Sequence, residues 1–202
     1  MWLEALGLVE AGSPGRNGPE YEAGYGRSAT ERSPPFATNA PWRNEVMDRV
    51  AKLRCAHVCL TGGEPLAQKG APKLLKKLLD EGYQVVLETN GAMPLDDLPC
   101  VESLTISMDI KCPSSGVADK MLFGNIELLG PTDQLKFIIS NDADYEYAKE
   151  IIEKYSPKCE VILTPVGGKD LKSLAEKVLK HGLNVRVLPQ LHKFIWGDED
   201  NR

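Results

Sequence analysis

The sequence predicts an α/β protein built on a parallel sheet. Short apolar strands alternate with single helices from residue 45 onward, the signature of right-handed βαβ crossovers. The strands number about six, enough for an open sheet or partial barrel and short of a closed eight-stranded one. Polar residues collect where five of those strands end, and parallel sheets bind ligands at the carboxyl ends of their strands.

Each element has its own signal. Val46, Val50 and Leu53 recur at helical spacing, and Val58 to Leu60 reads as a strand. Leu74, Leu75, Leu78 and Leu79 predict a helix that stops near Gly82. Val85 to Leu87 is a strand, followed by Glu88-Thr89-Asn90-Gly91, and Leu104 to Asp109 is another. A helical stretch is expected from about Val117 to Leu129, then a strand from Leu135 to Ser140 and a helix from Tyr145 to Tyr155. Val161 to Leu163, a helix from Asp170 to His181, and a strand from Val185 to Leu188 complete the series.

The character of the chain breaks near residue 42. From Gly12 to Arg43 it is rich in Gly, Pro, Ser, Asn and Arg, a composition that buries little surface and predicts loop or disorder. Residues 1–42 therefore read as an irregular segment and 43–202 as the folded body. Hydrophobic content of 42% and charged content of 26% suit one packed domain of 202 residues. A net charge of -5 argues against a nucleic-acid surface and leaves small anions open as substrates. No apolar run nears the ~20 residues of a membrane span. Five scattered cysteines, at 55, 59, 100, 112 and 159, form no disulfide framework and point to a reducing cytoplasm.

The chain is organised around Val58-Cys59-Leu60-Thr61-Gly62-Gly63-Glu64-Pro65. Two adjacent glycines let backbone adopt φ > 0 and let a ligand approach, Glu64 adds a carboxylate, and Pro65 ends the strand. Glu88-Thr89-Asn90, then Ser107, Asp109 and Lys111, then Thr164-Pro165 and Gln190-Leu191-His192-Lys193, bring further polar groups to strand ends. Ser107 and Lys111 offer a hydroxyl and an ammonium, and His192 beside Lys193 suits a carboxylate. Plainer roles stand beside these: Lys111 as a solvated lysine, His192 as a surface histidine, Glu88 as the cap of the turn that follows it.

Thr61-Gly62-Gly63-Glu64-Pro65 resembles the GGEP motif of radical S-adenosylmethionine enzymes, which implies a partial (β/α)6 barrel, here truncated or disordered at its amino terminus. Glu88-Thr89-Asn90-Gly91, Ser107 to Gly116 and Gln190 to Lys193 narrow the resemblance to the 7-carboxy-7-deazaguanine synthase family. It covers residues 45–197 and implies a carbon–nitrogen lyase contracting 6-carboxy-tetrahydropterin to 7-carboxy-7-deazaguanine, for queuosine and archaeosine. By resemblance, Gly62, Gly63, Glu64, Ser107, Asp109 and Lys111 bind S-adenosylmethionine. Thr61, Glu88, Thr89, Asn90, Gln190, His192 and Lys193 face the pterin-like substrate. The family also implies a [4Fe-4S] cluster, Mg2+ and a homodimer, and no catalytic residue is assigned.

The chain departs from the family at the cluster. Three thiolates spaced CxxxCxxC hold it, leaving the fourth iron for S-adenosylmethionine, whose reductive cleavage makes the radical. No such triplet exists here: Cys55 and Cys59 imitate the first spacing, but Gly62 stands where the third thiolate belongs. Cys59 lies within a strand, and the pair reads as two buried small hydrophobes. Upstream, only Pro35-Phe36-Ala37-Thr38 keeps a vestige of the family's Asp-Thr-Pro-Phe. Read one base later, the codons for Ser13 to Arg16 permit Leu-Gln-Gly-Glu, those for Glu22-Ala23 permit Arg-Pro, and those for Gly26 to Ser28 permit Val-Val-Arg. Residues 1 to about 33 thus carry the marks of a frameshift. A cluster-less, inactive relative that binds S-adenosylmethionine or substrate is the alternative, and another radical enzyme, such as an activating enzyme, is a third.

Overall fold

The computed structural model describes residues 42–168, 170–191, 195 and 197, in two compact units. Residues 1–41, with the vestige and the shifted frame, lie outside the described residues, as do His192 and Lys193.

The first unit takes the described residues through Glu88, with Pro99–Leu104. It holds α1 (Trp42–Lys52), β1 (His57–Leu60), α2 (Ala71–Asp80) and β2 (Gln84–Thr89), whose last residue falls in the second unit. Val46, Met47 and Val50 form the buried stripe of α1, whereas Leu53 lies beyond its end and is exposed. In α2 the buried residues are Ala71, Leu74, Leu75 and Leu78, spaced to line one face, and the chain turns out at Gly82 (φ 85°). β1 and β2 pair in parallel, Val58 opposite Val85 and Leu60 opposite Leu87.

The second unit holds β3 (Leu104–Ile110, all but its first residue), α3 (Asn125–Leu128), β4 (Gln134–Ile139), α4 (Asp142–Tyr155), β5 (Glu160–Pro165), α5 (Leu171–His181) and β6 (Arg186–Val187). β3, β4, β5 and β6 pair in sequence order, all parallel, with Met108 opposite Leu135, Phe137 opposite Leu163, and Leu163 opposite Val187. Met108, Leu135, Phe137 and Leu163 are fully buried, and α4 packs on β4 and α5 on β5. Burying each such side chain contributes about 1.5–3 kcal/mol.

The elements depart from the sequence expectation in six places. The stretch 117–129 is no continuous helix. After a 3₁₀ turn at Pro113–Ser115, Gly116 turns left-handed (φ 71°), and Met121 is extended. Only the four residues of α3 become α-helical before Gly130-Pro131 ends them. β2 runs on through Glu88 and Thr89, and β5 through Thr164 and Pro165, so those residues lie in the strands rather than after them. α4 begins three residues early because Asn141 caps it, accepting from the Asp144 amide at 3.0 Å. Ser107 lies mid-strand, not at a strand end. β6 is only two residues long, and Pro189, lacking a donor, cannot extend it.

Candidate cofactor and substrate site

In the first unit the glycine turn has the conformation its sequence requires. Gly62 and Gly63 sit at φ 105° and 55°, and a Cβ at Gly63 would meet nothing within 4 Å. The second glycine is therefore demanded by backbone conformation, over open space. Glu64 does local work as well: it caps the 3₁₀ turn Pro65–Ala67, its Oε1 accepting from the Leu66 amide at 3.0 Å. Thr61 Oγ1 donates to Glu88 Oε2 at 3.1 Å, so two residues 27 apart in sequence hold one another at the ends of paired strands.

In the second unit the turn after β2 is tied down from several sides. Thr89 Oγ1 accepts from the Gly91 amide at 3.2 Å, and Asn90 Oδ1 accepts from the Ala92 amide at 2.9 Å. Gly91 is left-handed (φ 72°), and a Cβ there would lie 2.7 Å from Met121 Cε and 3.1 Å from Met108 Sδ. Asn125, at the head of α3 and 4% exposed, donates through Nδ2 to the carbonyls of Gly91 (3.2 Å) and Met93 (2.8 Å).

Alternation along β3 sends Ile106, Met108 and Ile110 to the dry face and Thr105, Ser107 and Asp109 to the other. Lys111 continues the second row just past the strand, with Nζ 3.4 Å from Asp109 Oδ2. The neighbouring strand extends this polar face: Ser107 donates to Gln134 Oε1 at 3.4 Å, and Lys136 Nζ lies 3.8 Å from Asp109 Oδ1. Ser107 is 2% exposed, Lys111 and Asp109 about a third. Gln190, after β6, accepts from the Gly167 amide at 3.0 Å.

The loop after Lys111 hangs on one buried carboxylate. Asp144, in the first turn of α4 and fully buried, accepts from the Ser114 amide (3.0 Å), the Ser114 hydroxyl (2.5 Å) and the Ser140 amide (3.0 Å). Burial alone would raise its pKa, but those hydrogen bonds outweigh it and hold the carboxyl below the usual range.

The cysteines can be tested against the cluster directly. Cys59 is buried in β1, as the sequence predicts; Cys55 is only half-buried, since it precedes the strand and donates to the His57 carbonyl. Burial and the Asp144 carboxylate push Cys112 up to about 12 against the opposing pull of Lys111, and burial pushes Cys159 up to about 11. Cys100 is exposed. Among the described residues, which include all five cysteines, no three of His, Cys, Asp and Glu gather as a metal site. The described residues, all five cysteines among them, do not fit a [4Fe-4S] cluster, and their acidic groups do not gather as a Mg2+ site.

The architecture is that of an α/β protein with parallel strands and polar groups on one strand face and at strand ends. In solved structures it matches QueE from Escherichia coli, with a TM-score of 0.57 at 19% identity over 73% of this chain and 63% of that one. It also matches Streptococcus suis SuiB bound to S-adenosylmethionine, with a TM-score of 0.51 at 9% identity over 74% of this chain and 41% of that one. At those identities the likeness speaks for the fold alone. No family-wide profile matches. Individual relatives do. The 7-carboxy-7-deazaguanine synthase of Thermoplasma acidophilum is 36% identical over 155 residues, covering 77% of this chain and 74% of that protein. That of Chlorobaculum tepidum is 39% identical over 163 residues, covering 77% and 73%. That of Methanospirillum hungatei is 43% identical over 143 residues, covering 69% and 58%. The chain belongs to the 7-carboxy-7-deazaguanine synthase family of radical S-adenosylmethionine proteins.

Four residues of this region escape a reading of motifs: Lys136, Gln134, Asn125 and Asp144. Lys136 alone leaves a trace, as a charge inside the apolar run Leu135-Lys136-Phe137-Ile138-Ile139. Asn125 and Asp144 act on loops 34 and 30 residues away in sequence, which no local pattern records.

Proposed function

We propose that this chain serves the 7-carboxy-7-deazaguanine synthase reaction, the ring contraction of 6-carboxy-tetrahydropterin, by binding and orienting S-adenosylmethionine and the pterin. Membership in that family carries the reading. Family resemblance assigns to the cofactor the turn at Gly62 and Gly63 in the first unit and, in the second, Asp109, Lys111 and the mid-strand Ser107, 2% exposed. The same resemblance assigns to the pterin Thr61 and Glu88 in the first unit, Thr89, Asn90 and Gln190 in the second, and His192 and Lys193 of the sequence. A homodimer, as expected for the family, is part of the same reading.

A second reading is favoured by the cysteines: the chain binds these ligands without making the radical. Among its described residues, which include all five cysteines, no group fits the cluster that supplies reductive cleavage in the family, so no radical step is assigned to them. Two measurements separate the readings. Anaerobic reconstitution with iron and sulfide, followed by a product assay, is expected to give neither a [4Fe-4S] absorbance nor product. Calorimetry with S-adenosylmethionine is expected to show binding that Lys111→Ala weakens by about 1.5–3 kcal/mol. Stoichiometric cluster and turnover would overturn the second reading; binding of neither ligand would overturn both.

A further inference from the structure

We propose that Thr164 is a substrate-binding residue whose hydroxyl shares a hydrogen bond with the ring edge of a flat nitrogen heterocycle, the pterin. The inference rests on the reading above and adds to it a residue to which the family-like motifs give no role. Thr164 lies near the end of β5 and is 6% exposed. Among the described residues its hydroxyl has no hydrogen-bond partner. The residue after it is Pro165, which has no amide to donate. Buried polar groups are nearly always bonded, and one left without a partner costs stability. Valine has the same shape without that cost, and the strand already runs Val161-Ile162-Leu163 up to this position. The hydroxyl therefore answers a group that is not part of the chain.

Register decides which face it serves. Thr164 is the Cα partner of Ile138, two residues beyond the pair Lys136 and Ile162, and Lys136 is the partner of Asp109. Register partners share a face, so Thr164 stands on the side of Asp109 and Lys136, away from Leu135, Phe137 and Leu163. It also stands at the carboxyl end of its strand, where parallel sheets take their ligands. Its neighbours on that face are apolar: Ile138 is half-buried and Ile162 is 4% exposed. An apolar floor carrying one neutral group that both donates and accepts suits the plane and edge of a heterocycle rather than a carboxylate. Adenine and pterin are the two such rings in the reading above. The adjoining loop favours the pterin. Gln190, given to the pterin by resemblance, accepts from the Gly167 amide at 3.0 Å, three residues beyond Thr164. Ser107, Asp109 and Lys111, given to the cofactor, belong to β3 and its exit, two strands away.

Calorimetry on the full chain under anaerobic buffer tests the assignment, with 6-carboxy-tetrahydropterin and S-adenosylmethionine as separate probes. Thr164→Val is expected to lose about fivefold or more in affinity for the pterin and to leave S-adenosylmethionine unchanged. Thr164→Ser, which keeps the hydroxyl, should retain most of the pterin affinity. Thermal melting of the ligand-free chain adds an independent sign: valine removes a hydroxyl that bonds nothing in the protein, so Tm is expected to hold or rise. A clear fall in Tm would reveal an internal partner and overturn the proposal. Unchanged pterin affinity in Thr164→Val, or a loss for S-adenosylmethionine alone, would also overturn it. Each of those results leaves the family reading standing. Binding of neither probe by the unsubstituted chain would bring down both.

Discussion

Replacing Asp144 by asparagine removes one oxygen and one charge from a site with three donors. In the native protein Oδ1 takes the Ser114 amide and Oδ2 takes both the Ser114 hydroxyl and the Ser140 amide. Asparagine keeps a single acceptor, so in either amide orientation one backbone N–H loses its partner and meets an NH₂ group instead. An orphaned buried donor costs about 1–3 kcal/mol, and the surviving bonds drop from charge-assisted to neutral, so the total loss is about 2–4 kcal/mol. Urea unfolding followed by circular dichroism at pH 7 measures it, with exposed Asp119→Asn as a control expected to change little. The pH dependence follows in sign. Because the folded carboxyl titrates below its unfolded value, its contribution is present above about pH 4 and fades as pH falls through the lowered folded value. The gap between native and variant stabilities should therefore narrow in acid. A loss under about 0.5 kcal/mol at pH 7, or a gap unchanged down to pH 3, would refute the argument.

Three further outcomes are expected. Gly91→Ala forces a left-handed alanine against Met121 and Met108 and should cost about 1–3 kcal/mol in thermal or denaturant unfolding. Native thiol titration at pH 8 should modify Cys100 first and leave Cys112 and Cys159 unreacted until denaturant is added, since their pKa values of about 12 and 11 keep them protonated. Asn125→Asp replaces the donor to the Gly91 and Met93 carbonyls with an acceptor, and should destabilise the chain by about 1–3 kcal/mol, read as lost amide protection across residues 90–93.

The sequence by itself determined the strands, their parallel class and the glycine turns, because all three are local. Apolar runs such as Leu104 to Ile110 keep a period of two, single helices between strands impose parallel pairing, and the glycines at 62, 63 and 91 answer backbone angles fixed within a few residues. The absence of a cysteine triplet was equally local. Tertiary structure decided what depends on residues far apart in the chain. The stretch 117–129 is broken rather than one helix: Met121 is extended and lies with Met108 against Gly91, and a side chain 34 residues away holds the turn after β2. Lys136 faces Asp109 through register, since only strand pairing places the two opposite one another. Asp144 shows the same cause: three donors reach it from two loops, and without them a buried carboxylate would be a cost rather than an anchor.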